Sequence, residues 1–229
     1  MKRSARFLDS GGPLDSVRTQ VKVCGITRLE DAVHALQCGA HALGYIFYTP
    51  SKRNMTGPKV KAIKDELPEP ISSVAVVVDP DDQLLDEIVS VVRPSFIQFH
   101  GDETPERCRE PGIPFIKAFR VRSAEQLETV GDTYHDASAL LFDAYQPDKV
   151  GGTGLTFSWG MVPSFDQPVI LAGGLHSGNV LRAIEAVQPD AVDVSTGVEI
   201  SPGIKNRQAI SEFFSAVKVA DQSVGSQVA

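Results

Sequence analysis

From residue 21 onward, short apolar runs alternate with longer stretches in which apolar side chains recur every three or four positions. The first run, VKVC at 21–24, reads as a strand, and LEDAVHALQCG after it has the spacing of an amphipathic helix closed by Gly39. The pair then recurs. ALGYIF precedes GPKVKAIKDEL, SSVAVVV precedes DDQLLDEIVSVV, FIQFH precedes TPERCRE, and FIKAFRV precedes SAEQLETVGDTY. After these come ALLFD with a long loop and the short FSWGMVPSF, VILAGG with SGNVLRAIEAV, and AVDVS with NRQAISEFFSAVKVA. Strands separated by one helix each must be parallel with right-handed crossovers, and continuous apolar strands such as VILA suit a sheet covered on both faces.

An open doubly wound sheet could be built from the same units. Eight of them, each of about 25 residues, fit a closed (β/α)8 TIM barrel better in a chain of 229 residues. The barrel domain is assigned to residues 21–220. Residues 1–20, rich in Ser, Gly, Asp and Arg without a clean period, are expected to be a poorly ordered N-terminal extension, and residues 221–229 a C-terminal tail.

Composition narrows the function. With 42% hydrophobic and 22% charged residues the chain can bury a substantial core, and a formal charge of -7 with scattered bases argues against nucleic acid or an anionic membrane as partner. There is no apolar run of about 18 residues and no apolar middle to a signal peptide, so a cytoplasmic location is expected. Cys24, Cys38 and Cys108 show no CxxC spacing and no His-rich neighbours, which points to free thiols, no metal site and no cofactor. A monomer and a homodimer are equally compatible with one sequence.

In a barrel of this kind chemistry sits at the C-terminal ends of the strands, and those ends are where the polar residues and glycines gather. Strand one ends in Cys24-Gly25, strand four in Gln98 and His100, strand six in Asp143. Strand seven runs into Gly173 and Gly174, and strand eight carries Asp193 and then Ser195, Thr196 and Gly197. The loops after strands seven and eight often cradle phosphate in such barrels, so these glycines and hydroxyls are assigned to an anion site. VGGTGLTF after strand six is a further glycine-rich loop able to cover the mouth.

Taken singly, Cys24 could be a small core residue, Asp143 a turn cap and Arg53 a solvated surface charge. Together, a thiol and a carboxyl facing each other across a barrel mouth form an acid–base pair with well-separated intrinsic pKa values, which suits an isomerase. Arg53 is the nearest fixed positive charge to that rim by sequence and could grip a substrate carboxylate with its fork. His100 and Asp193 could each be catalytic or structural.

KVCGIT, FYTPSKR, QFHGDE, LLFDAY followed by GGTG and TFSW, LAGGL, and DVSTGVE with SPGIK closely resemble the phosphoribosylanthranilate isomerase family of tryptophan biosynthesis, from residue 21 nearly to residue 220. The resemblance implies an Amadori rearrangement of N-(5-phosphoribosyl)anthranilate, a phosphorylated aminosugar, to 1-(2-carboxyphenylamino)-1-deoxyribulose 5-phosphate without a cofactor. It implies that Cys24 is the general base, that Asp143 is the general acid and that Arg53 faces the anthranilate carboxylate. On this expectation burial raises the pKa of the Asp143 carboxyl, while positive surroundings are required to lower that of the Cys24 thiol. LAGGL and DVSTGVE differ slightly from the commoner family forms SGGL and DVSSGVE, but Thr196 keeps the hydroxyl.

Two rivals remain at this stage. The histidine-pathway isomerase, which performs the same rearrangement on another aminoribose, is expected to carry aspartate where this chain has Cys24, although a relaxed dual-substrate enzyme would not differ in this way. A barrel that binds a sugar phosphate without turning it over would have no use for both Cys24 and Asp143.

Overall fold

The computed structural model describes Leu8, residues 19–121, residues 123–143, Trp159 and residues 162–226. Its central feature is a closed barrel of eight parallel strands in sequential order: β1 (Gln20–Cys24), β2 (Ala42–Phe47), β3 (Ser72–Val77), β4 (Phe96–Phe99), β5 (Phe115–Arg120), β6 (Ala139–Asp143), β7 (Val169–Ala172) and β8 (Ala191–Val194). Closure comes from β1 pairing with β8, where Lys22 stands beside Asp193 in register. Between the strands run α1 (Leu29–Gln37), α2 (Gly57–Asp65), α3 (Asp82–Glu87), α4 (Pro105–Arg109), α5 (Val130–Thr133) and α6 (Val180–Val187), and α7 (Arg207–Ser226) follows β8.

Because successive strand residues point to opposite faces, the strands build two cores at once. Outward residues such as Val21, Val23, Leu43, Tyr45 and Phe99 pack under the helices. Inward ones, among them Ala42, Val74, Ile116, Ala139, Ile170 and Ala191, fill the barrel together with Cys24. The same alternation places Gln20, Lys22 and Cys24 on one inward row, so the chemistry of β1 is set by its period of two.

The strands match the apolar pattern, but several helices are shorter than their periodicity predicts. TPERCRE gives only the five residues of α4, started by Thr104, whose hydroxyl accepts from Arg107 N, with Pro105 at the first turn. DDQLLDEIVSVV begins as α3, capped by Asp81, and then widens into a π-turn over Ile88–Val92, a run rich in β-branched residues. SAEQLETVGDTY splits into a 3-10 turn at Glu125–Leu127 and the single turn of α5, which contains Gly131. FSWGMVPSF lies partly outside the described residues; Trp159 sits in a 3-10 turn, its carbonyl accepting from Val162 N at 3.2 Å, and residues 162–165 form no helix.

Three features were not anticipated. After β8 the chain makes a small antiparallel hairpin, β9 (Glu199–Ser201) and β10 (Ile204–Lys205), before α7. At the other end, Leu8 from the leader is fully buried against the barrel's inner residues, and its N–H donates to Gln20 Oε1 at the start of β1. The last helix also continues past residue 220 to Ser226, into the segment expected to be a tail. No described helix is long and apolar enough to cross a membrane.

Candidate active site

The inward row of β1 ends at the C-terminal mouth with Cys24. One step below it, Lys22 Nζ lies 3.0 Å from Asp193 Oδ1, with the two side chains 0% and 9% exposed. Gly44 of β2 stands opposite Cys24 in the sheet. A Cβ at Gly44 would lie 2.8 Å from Cys24 Sγ and 3.0 Å from Lys22 Nζ, so the missing side chain is what lets thiol and ammonium converge.

Burial pushes the Cys24 thiol above its ordinary 9.0, and it prevails over the opposing pull of the Lys22 and Lys205 ammonium groups. The cationic surroundings expected from the chemistry are therefore present, but in the resting site they do not bring the thiol down. Lys22 itself is held above its usual range: burial works against its charge, and Asp193 and Cys24 outweigh that cost.

Asp143 is the last residue of β6, which is separated from β1 around the barrel by β7 and β8. It shares the inward face with Ala139 and Leu141 and so reaches the mouth from the far side. His100, just past β4, places Nε2 3.5 Å from Asp143 Oδ2. Burial first, and then Arg120, Lys22 and Lys117, depress His100 to about 4, so at neutral pH it meets Asp143 as an uncharged imidazole.

The loop carrying His100 is pinned from below. The carboxylate of Glu103 accepts from Asp79 N at 2.8 Å, Gly101 N at 3.0 Å and Lys117 Nζ at 2.8 Å, with both ionic side chains 2% exposed. A buried pair so completely hydrogen-bonded costs little to keep and much to break.

After β7, Gly173 and Gly174 have φ of 90° and 62°, a region that a side chain enters only under strain. After β8, Ser195 leads into the turn Thr196–Val198. The two loops nest so tightly that a Cβ on Gly197 would sit 1.9 Å from the carbonyl oxygen of Leu175. Gly197→Ala must therefore spread them, and we expect a loss of about 1–3 kcal/mol in stability together with weaker phosphate-ester binding. Urea unfolding with and without inorganic phosphate checks this; an unchanged midpoint and unchanged protection would show that the contact does not matter.

Gly25, with φ of 75°, turns the chain out of β1, and a Cβ there would strike Arg53 Cδ at 2.7 Å and Ser195 Oγ at 3.2 Å. Arg53 thus lies across the end of the strand that carries Cys24. Its guanidinium is gripped by Glu199 of β9, Nε to Oε1 at 2.8 Å and Nη2 to Oε2 at 2.6 Å. This fork holds the guanidinium charge firmly, raising its pKa.

Arg53 is not the cation nearest the thiol. Lys22 shares the Gly44 notch with the sulfur, and Lys205 Nζ donates to the Cys24 carbonyl at 2.5 Å. Sequence reasoning missed both lysines and Glu199. The position of Lys22, two residues before Cys24, was a usable signal, since i and i+2 share a strand face.

Cys24, Arg53, Ser195 and Gly197 are thus brought to one mouth with Asp143, Asp193, Thr196, Gly173 and Gly174. Asp193 is engaged with Lys22. The VGGTGLTF loop lies outside the described residues. Among the described residues no group of three or more His, Cys, Asp or Glu could hold a metal ion.

Residues 21–216 match the family described as N-(5'phosphoribosyl)anthranilate (PRA) isomerase. The chain is 43% identical over 203 residues to the N-(5'-phosphoribosyl)anthranilate isomerase of Nitrosospira multiformis, covering 88% of this chain and 98% of that protein. It is 47% identical over 197 residues to the enzyme of that name from Pseudomonas syringae pv. syringae, covering 86% and 96%. Among solved structures, it is similar to a phosphoribosyl anthranilate isomerase in complex with reduced 1-(o-carboxyphenylamino)-1-deoxyribulose 5-phosphate. The TM-score is 0.75 at 34% identity, covering 88% of this chain and 99% of that one.

Proposed function

The chain belongs to the N-(5'-phosphoribosyl)anthranilate isomerase family, and from that premise we infer how its residues divide the reaction. It is an aldose–ketose isomerase of tryptophan biosynthesis, which converts N-(5-phosphoribosyl)anthranilate into 1-(2-carboxyphenylamino)-1-deoxyribulose 5-phosphate.

In this reading the loops of Gly173–Gly174 and Ser195–Gly197 hold the phosphate through backbone N–H groups and hydroxyls. Arg53 takes the anthranilate carboxylate at the other end of the mouth. Asp143, as the carboxylic acid, gives its proton to the ribose ring oxygen while the anilino nitrogen pushes electrons toward C1. The C1–O bond breaks, leaving an open-chain iminium. Cys24, as thiolate, removes the proton from C2 and the electron pair neutralises the iminium, giving an enolamine. Movement of a proton from the C2 hydroxyl to C1 completes the ketone.

The observation that carries the reading is the placement of Cys24 and Asp143 on the inward faces of β1 and β6, both as the last residue of the strand. Lys22 beside the sulfur supplies the charge that a thiolate needs once it forms. Because the base is a free thiol, the reaction calls for a reducing compartment such as the cytoplasm.

The active form has one proton shared between two groups, absent from sulfur and present on Asp143. Across neutral pH, kcat/KM should therefore be flat, falling on the alkaline side where the pair loses that proton and on the acid side where it takes up a second. Burial sets the upper limit above 9.0, the ordinary thiol value. The test is a pH series following the disappearance of fluorescence from freshly made phosphoribosylanthranilate. A descending limb centred near neutrality would contradict this assignment of the proton, and absence of turnover would remove the functional reading itself.

A further inference from the structure

We propose that Glu199 is a positioning residue that aims Arg53 at the substrate carboxylate, and that Lys205 anchors Glu199 to the backbone of the strand bearing the base. The proposal rests on the reading that Arg53 binds that carboxylate.

Arg53 offers Glu199 one edge of its guanidinium, through Nε and Nη2. Among the described residues its third corner, Nη1, makes no hydrogen bond, and the side chain is 18% exposed. A planar group fixed by two parallel bonds has little freedom left, so the free corner keeps one direction. Glu199 is itself fixed. Its Oε1 also accepts from Lys205 Nζ at 2.9 Å and from Gly203 N at 3.3 Å.

The fully buried Lys205 spends its other donors on the carbonyls of Cys24, at 2.5 Å, and Ser195, at 3.2 Å. All three ammonium hydrogens are thereby used. Two further bonds lock the hairpin to the start of α1: Thr27 Oγ1 donates to the Gly203 carbonyl, and Lys205 N donates to Asp31 Oδ2 at 3.1 Å. One hairpin thus joins the base strand, the phosphate loop and the carboxylate reader. The charges agree with this role, since within this cluster two cations and one carboxylate leave one positive charge for a single substrate carboxylate.

The experiment compares two inhibitors, the reduced (2-carboxyphenylamino)deoxyribulose phosphate and the same compound with an unsubstituted phenyl ring. The ratio of their inhibition constants isolates the carboxylate. Wild type should prefer the carboxylated compound by about 100-fold, Arg53→Met should lose that preference, and Glu199→Gln should reduce it about tenfold while leaving the phenyl compound within roughly twofold. Glu199→Asp should restore part of it. Should Glu199→Gln strand the buried Lys205 and fail to fold, the combined Glu199→Gln, Lys205→Met variant removes both charges and should show the same selective loss.

Equal weakening of both compounds would reduce Glu199 to a scaffold residue and overturn the proposal. Tighter binding of the carboxylated compound would make Glu199 a competitor for Arg53, and would overturn it too. Arg53→Met losing the preference while the Glu199 variants keep it would sink only the positioning role, whereas Arg53→Met keeping it would remove the reading of Arg53 as well.

Discussion

Cys24→Ser is expected to lower kcat roughly 10³- to 10⁴-fold while changing KM by no more than a few-fold. The hydroxyl occupies nearly the space of the thiol, and Lys22 remains within reach of it. What disappears is an accessible anion. Even with an ammonium nearby, a serine hydroxyl ionises far less readily than a thiol, so the C2 proton of the iminium has no acceptor. The geometry also makes the substitution a clean one, because Gly44 leaves open the notch into which the side chain projects, and nothing needs to shift. Steady-state kinetics in the fluorescence assay, with melting temperature as a control for the buried polar atom, provide the check. A variant retaining a tenth of wild-type kcat would show that another group takes that proton.

Asp143→Asn should cost about 10³-fold in kcat with KM again nearly constant. The amide keeps the shape and stays beside His100 Nε2, which stands 3.5 Å from the carboxylate in the unsubstituted protein. It has no proton to surrender to the ring oxygen, so ring opening stalls before the base is needed. The two variants therefore block successive steps, and the double variant should be little worse than the poorer single one. If the two losses multiplied, both groups would be felt at one rate-limiting barrier and not at two successive ones. Near-normal activity of Asp143→Asn would move the acid elsewhere, with His100 the first residue to test.

The strands and their inward ends were legible because the signals are local. Short, largely apolar runs that give out into a thiol and a glycine at β1, a carboxylate at β6 and a pair of glycines at β7 can be recognised without knowledge of what they touch. The short helices were less legible. α4 and α5 are held by tertiary packing over segments whose own helical preference is weak, so periodicity overstated their length.

The charged residues of the site were hidden for a different reason. A lysine in a strand suggests exposure, yet Lys22 is buried by pairing with Asp193, 171 positions away, across the seam that closes the barrel. Glu199 and Lys205 belong to a hairpin too short and irregular to leave a periodic trace, and its partner Arg53 lies 146 positions from Glu199. Such pairings are consequences of closure, and no local pattern encodes them.

Leu8 gives the barrel a stopper that its strands do not provide. The eight strands begin at Gln20, but the inner wall beside that residue is sealed by a side chain delivered from a dozen residues upstream. The unit that folds is therefore longer than the unit that catalyses. A boundary drawn at the first strand would leave an apolar socket open to water, at a cost on the order of 2 kcal/mol for one leucine.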